Sequence, residues 1–143
     1  MHDLVAPLAL VVAVVNTVAA VGGLTHVGER AFWPLLRAGQ VGAVALAALA
    51  AASALSGDGP GDDLFWLYAL LPVAVGLIGE QLRLASAETV LEARGLADAQ
   101  EMRRLPEGEQ HEIVVAILRR EMTVMACAAG VVAFLALRAA TTW

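Results

Sequence analysis

Residues 4–24 read LVAPLALVVAVVNTVAAVGGL, an apolar run interrupted only by Pro7, Asn16 and Thr17. As a helix rising 1.5 Å per residue, such a run is about 30 Å long, the thickness of a bilayer's hydrocarbon core. Three further runs follow at 32–55, 64–84 and 119–138. The chain of 143 residues is 59% hydrophobic and 16% charged, with a mean hydropathy of +0.73. That balance belongs to a chain dissolved in lipid and excludes an ordinary water-soluble domain. The expected fold is all-α, a bundle of four transmembrane helices forming one integral membrane domain over 1–143. A cytoplasmic helical hairpin extension at about 85–118 is expected between helices three and four. A secretory signal peptide is the competing reading of the first run, but a signal has a basic n-region, and here His2 and Asp3 come first.

The breaks between runs carry the local detail. Ser56 to Asp63 holds three glycines and Pro60, which end a helix on conformational grounds, and Asp62 or Asp63 is placed to cap the next one at Leu64. Phe65, Trp66 and Tyr68 then cluster where aromatic rings meet headgroups. The helical pattern continues beyond the third run by about two turns, to a C′ glycine at Gly95. Asp98 with Glu101 three residues on forms a capping-box pattern for a short helix, and Pro106-Glu107 opens the last one. The Ala-rich second run, with Gly39, Gly42, Gly76 and Gly79, offers faces for close helix packing.

Basic residues set the orientation. Arg30, Arg37, Arg83, Arg94, Arg103, Arg104, Arg119 and Arg120 lie at one side's membrane ends, against Arg138 alone at the other. The rule that cytoplasmic loops are positive places both termini outside, the 85–118 segment in the cytoplasm, and the protein as a multi-pass component of the inner (plasma) membrane. The turn bearing Asp58, Asp62 and Asp63 faces outward, where cation binding is an open question.

Several function classes are excluded or reduced. One cysteine, Cys127, permits no internal disulfide and no Cys-based zinc site. No nucleophile elbow, phosphate loop, HExxH or dinucleotide glycine motif occurs, so no enzyme activity, metal or cofactor is expected. The arginines of the 85–118 segment alternate with Glu88, Glu92, Asp98, Glu101, Glu107, Glu109 and Glu112, leaving no basic face for nucleic acid.

Polar residues at membrane depth are the remaining candidates, because each must be paired, face a cavity or reach the interface. Glu80 lies at the depth of Met122 on the antiparallel fourth helix, and an ion pair with Arg119 or Arg120 is expected there. Asn16 sits near mid-membrane, where an interhelical hydrogen bond is expected. Arg37, Gln40 and Gln81, with Asn16 and Thr17, form a candidate polar cleft opening inward. His26 is the candidate axial ligand of a b-type haem, although it stands at a helix end, with His111 outside the lipid and His2 across the membrane.

The second half carries a resemblance. Leu67-Tyr68, Gly79-Glu80-Gln81-Leu82-Arg83, Glu88 to Leu96, Arg119-Arg120-Glu121-Met122 and Leu137-Arg138-Ala139 resemble uncharacterised small four-helix integral membrane proteins of actinobacterial type, over roughly residues 64–140. The resemblance implies a multi-pass inner-membrane protein and assigns no activity. A looser architectural likeness to haem-handling four-helix membrane proteins lacks their membrane-embedded histidines.

Three functions follow as expectations. The first is a non-enzymatic accessory, scaffold or assembly subunit. It would act as a homo-oligomer or within a larger membrane complex, through helix packing and a docking surface at Arg94, Arg103 and Arg104. The second is an oligomeric permeation protein for a small solute or ion, lined by Asn16, Gln40, Glu80 and Gln81. The third is a haem protein using His26.

Overall fold

The computed structural model describes residues 2–26, 29–57 and 59–143. Met1, Val27, Gly28 and Asp58 lie outside them, so the acidic turn expected to face outward is described only at Asp62 and Asp63. A short 3-10 turn, His2–Leu4, leads into α1 (Val5–Thr25). There follow α2 (Glu29–Leu55), α3 (Leu64–Leu84), α4 (Ser86–Ala93), α5 (Ala99–Met102) and α6 (Glu107–Thr142). All described regular structure is helical, and four helices are long and apolar enough to cross a membrane: Val5–Thr25, Arg30–Leu55, Leu64–Ala93 and Glu107–Thr142.

These four lie side by side. Helix α1 packs on α2 and α6, and α3 packs on α6 and, less closely, on α2. On α1 the buried stripe is Val5, Ala9, Val12, Asn16, Ala19 and Gly23, alternating steps of four and three. On α2 it is Phe32, Leu36, Gly39, Ala43, Leu46, Ala50 and Ser53, with the same spacing. A repeat of 3.5 residues keeps one seam facing its neighbour along the length of the helix. Helix α6 buries a wider band, including Met122, Met125, Ala126, Ala129, Val132, Ala136 and Ala139, because it has partners on both sides.

Small residues supply most of the buried face of α1. Ala9, Ala13, Ala19 and Ala20 are buried, while Leu10, Val11, Val14, Val18 and Val21 of the same helix are exposed. Without water between helices, apolarity gives no preference, and small residues bring backbones close enough for dispersion to hold them. Val5 and Val12 on α1 and Phe32, Leu36 and Leu46 on α2 are buried as well, so size alone does not fix the inward face.

Three of the four glycines proposed for packing are used inside the chain. A Cβ on Gly39 would stand 2.6 Å from the Asn16 amide, one on Gly42 2.9 Å from Val12, and one on Gly79 3.1 Å from Ala128. Only at Gly76 would it meet nothing within 4 Å.

The two ends differ. At one, Phe65 stacks edge-on against Trp66 and Trp143, with Arg138 5.6 Å from the Tyr68 ring. Asp62, rather than Asp63, caps α3 by accepting from the Leu64 N–H at 2.9 Å. At the other end, Ala85 interrupts α3 and α4, where one longer helix had been expected. Gly95, at φ +72°, closes α4 in a Schellman motif, with Leu96 N–H donating to Leu91 and Gly95 N–H to Glu92. The Asp98 carboxylate accepts from Gln100 and Glu101 N–H, while Glu101 accepts from Ala97 N–H, one residue before the usual capping-box position.

Candidate functional site: a neutral ion chain across three helices

Helices α2, α3 and α6 each bring charge to one level. Arg37 and Gln40 are three apart on α2, so both reach the α3 side. Glu80 and Arg83 have the same spacing on α3, and Glu121 stands on α6 one residue from the depth expected for Glu80's partner.

The contacts link them in series. Arg37 Nη1 donates to Glu80 Oε1 at 2.6 Å and to Gln40 Oε1 at 2.6 Å, and Gln40 Nε2 donates to Glu80 Oε1 at 3.1 Å. Arg83 Nη1 reaches Glu80 Oε2 at 3.3 Å, and its Nε reaches Glu121 Oε2 at 3.3 Å. The Arg83 guanidinium also lies 4.8 Å from the Trp33 ring centroid, adding a cation–π contact back to α2. Two arginines and two glutamates sum to zero charge.

Above the chain, α2 and α3 separate around a hollow of about 230 Å³. Arg37, Gln40 and Glu80 form its polar end, and Val44, Pro72, Val73, Gly76 and Leu77 form its apolar walls. Pro72 and Gly76 both line it from α3, and at Gly76 there is no side chain to fill the space.

Some expected contacts take a different form. Glu80 pairs with Arg37 and Arg83, not with Arg119 or Arg120, both of which are exposed. Comparing depths on α3 and α6 had overlooked α2, whose Arg37 is closer. Asn16 is 1% exposed, but its Nδ2 donates at 2.9 Å to Val12 O of its own helix. Its link to α2 is the close contact with Gly39. The expected inward cleft divides accordingly: Arg37, Gln40 and Glu80 meet, Asn16 lies in the α1–α2 seam, and Thr17 and Gln81 are exposed.

Sequence reading missed Arg83, Glu121 and Trp33 as members of the site. The signal was present in the Glu80–Arg83 spacing and in Glu121 next to Met122. His26 is exposed at the end of α1 with φ +54°, a left-handed conformation uncommon outside glycine. His111 lines a separate hollow beside Arg94 and Arg119. Among the described residues no group of three or more His, Cys, Asp or Glu is gathered to hold a metal. Cys127 is exposed, turned from the buried Met122 and Met125. Arg94, Arg103 and Arg104 are all exposed.

Comparison of the chain with protein-family models, with curated proteins and with solved structures finds no match.

Proposed function

We propose that the protein is a non-enzymatic accessory or scaffold subunit of a membrane complex, a four-helix transmembrane bundle that docks through its charged 85–118 segment. The carrying observation is a division of charge. At membrane depth Arg37, Glu80, Arg83 and Glu121 are bonded to one another. In the segment beyond, Glu88, Glu92, Arg94, Asp98, Glu101, Arg103, Arg104, Glu107, Glu109 and Glu112 are exposed. Charges already paired hold the bundle, and charges in water are available to a partner's surface. The permeation reading draws no support from the bonded Gln40 and Glu80 or from Asn16 and Gln81, which stand apart from them. With Gly39, Gly42 and Gly79 used internally, docking rests on the charged segment rather than on glycine faces.

Both termini lie outside and the 85–118 segment lies in the cytoplasm, on the strength of eight arginines against one. In whole cells, an impermeant label should reach a cysteine placed at Arg103 only after lysis. The double reversal Arg103→Glu, Arg104→Glu should remove a cross-linked partner while leaving membrane insertion intact. Unchanged cross-linking would overturn docking at this surface, and labelling in intact cells would overturn the orientation.

A further inference from the structure

Arg94 and Arg119, like Arg103, Arg104 and Arg120, form no ion pair among the described residues, but the first two share a hollow. Arg94 caps the end of α4, and Arg119 lies on α6 two residues before Glu121. Both line a hollow of about 420 Å³ with His111 and Glu112. That hollow adjoins a second, of about 320 Å³, walled by Trp33, Leu118 and Met122; the two share Val115 and Arg119.

The groove combines charge with apolar walls. Down α6 the lining runs from His111 and Glu112, through Val115, to Leu118, Arg119 and Met122, with Arg94 facing the first part, Trp33 facing the last from α2, and Arg119 shared by both hollows. An anionic phospholipid offers a partner for each kind of surface, a phosphate for the guanidinium groups and a chain for Trp33, Leu118 and Met122. Two guanidinium groups against the single Glu112 carboxylate leave the groove with a positive excess, and each presents a planar donor fork that fits phosphate oxygens. Basic pockets between membrane helices on the cytoplasmic side hold anionic headgroups on the same principle.

We propose that this groove binds an anionic phospholipid, with Arg94 and Arg119 on its phosphate and one acyl chain along Leu118, Met122 and Trp33. The site requires the helices to lie in a bilayer, and it is independent of docking, since Arg103 and Arg104 lie outside the groove.

The test is native mass spectrometry of the full chain after equilibration in mixed micelles of phosphatidylglycerol and phosphatidylcholine. The parent should retain phosphatidylglycerol in preference by about tenfold or more, from two arginines near the headgroup. Arg94→Gln with Arg119→Gln should abolish the preference, and the matching lysine pair should keep most of it. Arg103→Gln with Arg104→Gln, which removes the same charge elsewhere, should leave it unchanged. Equal loss in both glutamine pairs would mean attraction to net charge alone and would overturn the site. Millimolar inorganic phosphate should not displace the lipid; displacement would assign the groove to free phosphate and overturn the lipid assignment. Arg94→Gln alone, a change well outside the span, should lower the preference; no change in it would also count against the site.

Discussion

The seam between α1 and α6 and the seam between α2 and α3 join helices by opposite means. The first is made of Ala, Gly and Val: Gly23 lets Ala126 and the Phe32 ring come within 2.6 Å of where a Cβ would stand, and Ala20 lies 3.8 Å from that position on Gly130. The second is looser, leaves a hollow of about 230 Å³, and is bridged at one end by Arg37, Gln40 and Glu80. Where backbones approach closely, dispersion suffices to hold them. Where the helices leave a hollow beside Pro72 and Gly76, directional polar bonds link them instead, and the net strength of such bonds inside a membrane is modest.

Substitutions separate the two mechanisms, starting with the close-packed seam. Gly23→Leu should cost on the order of 3 kcal/mol, because Ala126 and Phe32 cannot both move aside. Reversible unfolding in mixed micelles, followed by circular dichroism, measures it; a loss no greater than that of Gly76→Ala would refute close packing as the basis of that seam. Next comes Glu80→Gln, which leaves Arg37 and Arg83 without their shared carboxylate and should cost about 2 kcal/mol. Pairing it with Arg37→Gln in a double-mutant cycle should show coupling, and strict additivity would mean the bridge contributes nothing. Asn16→Ala should cost under about 1 kcal/mol, since its hydrogen bond stays within α1. A larger loss would restore the interhelical hydrogen bond. Smallest of all is Gly76→Ala, where open space and better helix propensity should give a gain of roughly 0.5 kcal/mol; a clear loss would show that the hollow is occupied.

The positions of the long helices were legible because 20 or so consecutive apolar residues have few other uses. Residues 64–84 read as a run are α3, and the first run is displaced by one residue from α1. Helix α2 begins three residues before the run at 32 and includes Pro34 within it, at the cost of one backbone hydrogen bond to the Arg30 carbonyl. The packing seams were not read. With Leu10 outside and Ala9 inside, hydrophobicity is nearly constant around α1, and its faces differ only by an excess of small residues on the buried one, which Val5 and Val12 interrupt. At the site, a depth comparison located Glu80 but assigned its partner wrongly, because depth along one helix does not specify which neighbour is adjacent. That neighbour follows from the packing of α2 against α3, which no single charged residue announces.

Helix α6 has a mechanical consequence. Its 36 residues make an unbroken rod about 54 Å long, nearly twice the depth of a bilayer core. One end carries the exposed Glu107 and Glu109, and the other carries Ala136 and Ala139 against the remaining helices. A pull on the exposed end therefore reaches the packed end through continuous hydrogen-bonded backbone, with Glu121 lying along the rod where it is tied to Arg83. Tilting such a lever by a few degrees changes the spacing of the seams it touches, so load applied at one end is felt at the other.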